Sequence, residues 1–308
     1  MSDSVHAQIR ADLESYLDSN LDLPSDKALC QILADKFDRT TKTVQNILAM
    51  VRADQTPETP SEASYRFSVS LSDVHIPFED KKALASIEEF LVDTQPDDLI
   101  LNGDFIDAYS ISSFPTDPRK PLLQEELDQA RAYLERWRKK LPNTKIVYLD
   151  GNHDQRAQRI KHANTGLYGL RCLEIPNLLD LSSLDIDYYE YMDPYQIGEM
   201  VFVHGNRISK HSAYSAKATI TDGGFPNVMI GHVHRMGMYV HTGYEGTRRA
   251  YEQGHLCDVD QADYISNPNW ATGFGVVYHD SSDQLIDVRL VGITDGRFIF
   301  NGKIYGGQ

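Results

Sequence analysis

Cysteine is scarce in this chain. Cys30, Cys172 and Cys257 are an odd number in 308 residues, with no CxxC spacing. That excludes a disulfide scaffold and a cysteine-based zinc site, and it fits a reducing compartment. Long apolar runs are missing too: none reaches the roughly 18 residues that a membrane span needs. The opening MSDSVHAQIR lacks a basic stretch followed by an apolar one, so a cytoplasmic chain with no membrane partner is expected. Positive charge is in deficit, with 30 Lys and Arg against 45 Asp and Glu and a formal net charge of −15. Such a field repels polyanions at long range and excludes a generic nucleic-acid coat protein, although a local positive groove or a bound metal can still attract phosphate. Internal repeats and low-complexity tracts are absent. What is present is ordinary globular composition, 41% hydrophobic and 24% charged, over a length that at about 150 residues per domain implies two domains.

The first fifty residues read as helical. Ile9, Leu13, Tyr16 and Leu17 share one face, as do Leu29, Ile32, Leu33 and Phe37, then Val44, Ile47, Leu48 and Val51. Asp38-Arg39 supplies a short turn, and Thr40 or Thr41 can cap the third segment. This order predicts an all-α helix-turn-helix unit over 1–53. Residues 54–64 carry Pro57 and Pro60 without periodicity and read as a linker. From 65 to 308 the rhythm changes. Apolar runs at 67–71, 99–101, 146–149, 200–203 and 228–230 alternate with helical stretches that include 81–92 and 122–140, which implies parallel βαβ units. Beyond about Arg235 strand follows strand, with 273–278, 285–291 and 298–300 as candidates. The fold class is therefore α/β, with two packed sheets and helices outside them.

Polar residues close these apolar runs in a consistent way. Asp73 and His75 follow the first, and Asp104 and Asp107 the second. Asn152, His153 and Asp154 follow the third, His204-Gly205 the fourth, and His232 and His234 the fifth. Ligands of open α/β sheets bind at the carboxyl ends of the strands, so the five groups converge on one crevice. Five of the eleven histidines belong to them. Carboxylates, imidazoles and one amide suit Mn²⁺, Fe, Zn²⁺ or Ni²⁺. Seven candidate ligands are too many for one ion and suit two, provided one carboxylate bridges. Gly103, Gly151, Gly205 and Gly231 flank the ligands and are expected to permit the sharp turns that aim them inward.

The ordered series DxH, GDxxD, GNHD, HG and GHxH resembles the calcineurin-like metallophosphoesterase family from about Phe67 to the C-terminus. Together with Asn267-Pro268-Asn269-Trp270 and the leading helices, the chain is similar to bacteriophage phosphoesterases, for which the compartment would be the host cytoplasm. The resemblance implies two packed mixed β-sheets flanked by helices, a four-layer αββα sandwich. It implies two divalent ions, with Mn²⁺ the first candidate. Asp73, His75, Asp104 and His234 would hold one, and Asp104, Asn152, His204 and His232 the other. His153 would protonate the leaving oxygen, and Asp154 would orient it. The implied reaction is hydrolysis of a phosphate mono- or diester by a hydroxide bridging the metals. No Ser or Cys stands in a nucleophile motif.

Several residues admit two readings. Asp107 either supports a ligand histidine or caps a turn. Arg156, Arg207, Lys210 and His211 follow the motifs and are either substrate contacts or solvated charges. Tyr109 and Trp270 read as packing residues. Arg39, Lys42, Gln45 and Asn46 on the third helix are of types that read base edges. Asp35, Asp38 and Asp54 lie near them, which favours a protein-interaction or dimerisation module instead. The corresponding function classes are a phosphoesterase, a nuclease guided by the helical unit, and a non-enzymatic DNA-binding regulator.

Overall fold

The computed structural model describes residues 2–18, 26–55, 65–244, 246–261 and 268–307. Residues 56–64 of the expected 54–64 linker, Asn267, and the side chains of Tyr16, Leu17 and Asp54 lie outside the described residues, while 54 and 55 belong to the helix before it. The chain divides into two compact units, Met1–Ala63 and Ser64–Gln308. Among the described residues, no helix is long and apolar enough to cross a membrane.

The first unit has three helices, α1 (Ser2–Asp18), α2 (Asp26–Phe37) and α3 (Thr41–Gln55). Ile9 and Leu13 of α1, Leu29 and Leu33 of α2, and Val44, Leu48 and Val51 of α3 are buried together. Each set repeats at helical spacing, which is why the periodicity finds this core. Ile32 is the exception: placed by its sequence on the apolar face, it is 49% exposed. The turn before α3 is held by the Thr40 hydroxyl, which accepts from the Thr43 amide at 3.2 Å.

The second unit begins with β1 (Arg66–Leu71), α4 (Lys81–Thr94), β2 (Asp98–Asn102), α5 (Leu123–Lys140), β3 (Lys145–Leu149) and α6 (Arg156–Ala163). It continues with α7 (Ile175–Leu178), β4 (Ile186–Tyr189), β5 (Tyr195–Ile197), β6 (Met200–Phe202), α8 (Tyr214–Gly223) and β7 (Asn227–Ile230). Then come β8 (Met236–Gly243), β9 (Gly246–Gln253), β10 (Gly273–His279), β11 (Leu285–Gly292), β12 (Phe298–Phe300) and β13 (Lys303–Tyr305). One sheet has the order β11-β10-β1-β2-β3-β4 and a second the order β5-β6-β7-β9-β8. β1 to β4 are mutually parallel while β10 and β11 run against them, so the sheet is mixed. So is the second, in which β6, β7 and β9 are parallel and β5 and β8 antiparallel.

Period-two alternation decides the layers. In β2 and β3, Leu99, Leu101, Ile146 and Tyr148 face the core shared with α4 and α5. Ile100, Val147 and Leu149 face the opposite way and meet Met200, Phe202 and Met229 of the other sheet. Val201, Val228 and Ile230 point outward again onto Ala216 and Ile220 of α8. The layers are therefore helix, sheet, sheet, helix, as the family resemblance implies. Most strands missing from the sequence reading are short or exposed, and β9, buried over its second half, has no apolar run in GTRRAYEQ to reveal it. β8 is exposed along most of its length, so it carries no apolar run to read. The β12–β13 hairpin packs against α4, where the Phe90 ring lies 5.0–5.7 Å from Phe274, Phe298, Phe300 and Tyr305.

Phe90 is fully buried among those rings. Phe90→Ala is expected to destabilise the second unit by about 3–5 kcal/mol. Urea unfolding followed by tryptophan fluorescence checks this, since Trp137 and Trp270 both belong to that unit.

Candidate metal centre

The loops after β1, β2, β3, β6 and β7 are laced to one another by main-chain bonds. The Asp73 amide donates to Gly103 O at 3.1 Å, His75 N to Asp104 O at 3.0 Å, and Gly231 N to His204 O at 3.2 Å. Within them Asp73, His75, Asp104, His232 and His234 all have φ between 53° and 67°. Left-handed backbone at non-glycine residues costs on the order of 1–3 kcal/mol each and persists where surrounding bonds over-determine it. Here it swings each side chain from the strand direction into the crevice. Of the four flanking glycines, Gly103 and Gly205 do take positive φ. Gly231 does not. It is needed for close approach, because a Cβ there would lie 1.8 Å from Ser72 Oγ and 2.7 Å from Asp73 Oδ2.

The structure brings all seven sequence-identified ligand candidates together, in two sets. In the first, His234 Nε2 lies 3.2 Å from Asp73 Oδ1 and 3.2 Å from His75 Nε2, and His75 Nε2 lies 3.9 Å from Asp104 Oδ2. In the second, His204 Nε2 lies 3.2 Å from that same Asp104 Oδ2 and 3.3 Å from Asn152 Oδ1, and His232 Nδ1 lies 2.7 Å from Asn152 Oδ1. A pair of divalent cations fits these donors. Two imidazole nitrogens facing each other at 3.2 Å, with their other ring nitrogens committed elsewhere, call for a cation or a proton between them. Donors of this N/O kind bind Mn, Fe, Zn and Ni.

The far side of each ring is held. His204 Nδ1 donates to Asn102 O at 2.8 Å, and His75 Nδ1 donates to Asp107 Oδ2 at 3.0 Å. Asp107 thus takes the far side of a candidate ligand histidine, the contact that one of its two sequence readings requires. It also faces His153, whose Nδ1 lies 3.1 Å from Asp107 O and 3.3 Å from Asp107 Oδ2. Asp154, expected to orient His153, has other partners. Its carboxylate accepts from the amides of Gly151 at 2.7 Å and Asp104 at 2.9 Å and from the Tyr148 hydroxyl at 2.8 Å. It fixes the loop that carries Asp104, and Asp107 takes the place beside the His153 ring.

Burial disfavours ionised Asp104, but His204 and His153 outweigh it and hold its carboxyl well below the usual range. Burial likewise opposes the charge on His204, and Asp104 overrides it, pushing the imidazole up to about 10. His232, buried beside charged His204, is pushed down to about 4. Beneath this layer Glu126 accepts from the Tyr109 amide at 3.0 Å, and burial with the Asp107 charge pushes it up to about 7.

Of the basic residues that follow the motifs, Arg156 bridges Asp107 Oδ1 at 3.1 Å and His153 Nε2 at 3.3 Å. Arg207 pairs with Asp222 at 2.7 Å, and Lys210 and His211 are exposed. The Tyr109 ring packs on Phe78 at 5.4 Å. Trp270 packs as expected, but against a ligand candidate: its ring lies 4.2 Å from that of His234. The sequence reading missed His255 and Cys257, both buried behind His234. Their signal was the one used for the other groups, polar residues just past a strand end, but β9 itself was not read as a strand.

A carboxyl whose folded-state pKa is raised stabilises the fold fully below its ordinary value of 4.5, and that contribution is lost as pH climbs through about 7. Wild type should therefore lose stability relative to Glu126→Gln between pH 5 and 8, on the order of 2–3 kcal/mol. Urea midpoints of the two proteins at both pH values check it.

The family model for calcineurin-like phosphoesterase matches residues 69–266. The chain is 30% identical over 254 residues to the Gene 54 protein of Mycobacterium phage L5, covering 77% of this chain and 97% of that protein. It is 29% identical over 252 residues to the Gene 54 protein of Mycobacterium phage D29, again covering 77% and 97%. Among solved structures it is similar to vacuolar protein sorting 29 of Cryptosporidium parvum, with a TM-score of 0.40 and 15% identity over 79% of this chain and 96% of that one. The family match spans more than half of the chain and takes in every strand-end group from Asp73 to His234, and the chain belongs to the calcineurin-like phosphoesterase family.

Proposed function

We propose that the protein is a metal-dependent hydrolase of phosphate mono- or diesters. The observation that carries this reading is the sharing of Asp104 Oδ2 between two donor sets, with His153 at their rim. Asp73, His75, Asp104 and His234 would hold one ion, and Asp104, Asn152, His204 and His232 the other. Divalent cations such as Mn²⁺, Fe, Zn²⁺ or Ni²⁺, when bound, supply charge neutralisation at phosphorus and lower the pKa of water.

The chain's own residues do the rest. The His153 amide donates to Asp104 Oδ1 at 2.8 Å, which ties the proton donor to the shared carboxylate. Asp107 takes the Nδ1 side of the ring, which leaves Nε2 to accept from Arg156 here and to take up the proton given to the leaving oxygen once that guanidinium turns to the phosphoryl group. Arg156, at 3.3 Å from Nε2, sets a cation where the phosphoryl oxygens arrive and is displaced toward them when substrate binds. A covalent phosphoenzyme is disfavoured: Cys257, the thiol nearest the site, is 5% exposed, and burial pushes it well above its usual range.

His153→Ala should keep its metal content and lose about 10²–10⁴-fold in rate on an alkyl phosphate, and much less on a nitrophenyl ester, whose leaving group needs no proton. Paired rate measurements on the two substrates check this. Unchanged turnover of the alkyl ester would remove the general-acid role.

A nuclease is the second reading. On α3 and the turn before it, Arg39, Lys42, Gln45 and Asn46 are all exposed, which supports a helix-turn-helix that contacts nucleic acid. The relatives are phage proteins, which supports a place of action in the host cytoplasm. If the reading holds, Arg39→Ala with Lys42→Ala in the full chain should slow cleavage of labelled DNA and spare hydrolysis of a small chromogenic diester. Equal effects on both, or strong monoester turnover with no DNA cleavage, would remove it.

A further inference from the structure

Behind the first donor set lies a cluster that the proposed mechanism does not use. Cys257 Sγ is 3.2 Å from His255 Nδ1 and 3.9 Å from His234 Nδ1. The two imidazoles stack at 5.2 Å with 24° between their planes. One ligand atom from each of the three residues lies within 4.8 Å of the others, and all three are buried. His255 is completely buried, and its Nδ1 is the nitrogen that faces Cys257, which leaves the ring proton to Nε2 when Nδ1 binds an ion. A tetrahedral ion about 2.3 Å from sulfur and about 2.0–2.1 Å from nitrogen spaces those donors at about 3.5 Å. The two observed separations bracket that value.

We propose that His234, His255 and Cys257 form a third cation site, one that selects soft, thiophilic divalent ions, and that filling it takes His234 away from Asp73 and His75. Softness follows from the sulfur: none of the seven candidates of the other two sets is a thiol, and thiolate favours Zn²⁺ and Cd²⁺ over Mn²⁺. Exclusion follows from the ring. A neutral imidazole has one lone pair and one N–H. When His234 serves the first set through Nε2, its proton sits on Nδ1 and points at Cys257. When a soft ion takes Nδ1, that proton moves to Nε2 and the lone pair facing Asp73 and His75 is lost. In the same step the Cys257 thiol releases its proton to solvent and becomes a thiolate ligand. The cluster is thus an inhibitory metal site wired to the catalytic one through a single ring. The existence of the site is independent of the phosphoesterase reading; its inhibitory effect rests on that reading.

The test uses Cd²⁺ and the full chain carrying Cys30→Ala and Cys172→Ser, which leaves Cys257 as the single thiol. Metal-stripped protein is titrated while the near-ultraviolet thiolate-to-cadmium charge-transfer band is followed. A second sample is refolded from denaturant with Cd²⁺ present, so that burial cannot keep the ion out. One equivalent of Cd²⁺ should produce the band. Adding Cys257→Ser should abolish it, and His255→Gln should weaken Cd²⁺ binding at least tenfold while circular dichroism stays unchanged. No band in either preparation, or a band indifferent to His255, would overturn the site. In the Mn²⁺-loaded enzyme, Cd²⁺ should inhibit at least tenfold more strongly with Cys257 present than with Cys257→Ser. Equal inhibition would overturn the coupling through His234. A protein that shows the band but hydrolyses no phosphate ester would keep the third site and sink the proposed function alone.

Discussion

The carboxylate of Asp104 has to occupy one place, and the rest of the crevice is arranged around that requirement. Oδ2 lies at the meeting point of the two donor sets, while Oδ1 accepts the His153 amide. The residue's own amide is taken by Asp154, and its carbonyl by the amide of His75. Its backbone is left-handed, with φ 53°, a conformation that local preference opposes and that three hydrogen bonds to other residues hold. Releasing any one of them moves the oxygen on which both sets depend.

A second tier of buried polar groups does this enforcing, and it costs solvation that only dense hydrogen bonding offsets. Asp154, Asp107 and Asn102 each tie a ligand loop to a neighbouring strand end, and all three are buried. The chain's net charge of −15 opposes a phosphate-bearing substrate at long range. At short range bound cations would reverse the balance, because the crevice itself sets the carboxylates of Asp73, Asp104 and Asp107 among its histidines and Arg156. In the proposed function, attraction of phosphate would therefore be local to the strand ends and would come with the cations.

Much of the site was legible because its chemistry sits in short, ordered motifs. Asp73 and His75, or His232 and His234, are two residues apart, and each pair follows an apolar run that announces a buried strand. The βαβ rhythm and the three amphipathic helices were readable for the same reason, since burial imposes a period on sequence. What escaped reading had no period to offer. β8 lies exposed, β4, β5 and β13 are three or four residues long, and Ile32 stands outside a core its spacing would place it in. Asp154 follows His153 directly, yet its carboxylate turns to the amides of Gly151 and Asp104 while Asp107, 46 residues earlier, meets the ring.

By itself the sequence determined the fold class, the family and the seven candidate donors that the fold gathers, because each is encoded by side-chain type at close spacing. Only the tertiary structure decided which oxygen is shared, which glycines serve approach and which serve a turn, and which groups hold the far sides of the rings. It alone put His255 and Cys257 behind His234. The physical reason is the range of the interactions. Periodicity and motif act along a few residues of chain, whereas hydrogen bonds between strand ends join positions such as 73 and 232 that meet only after two sheets have packed.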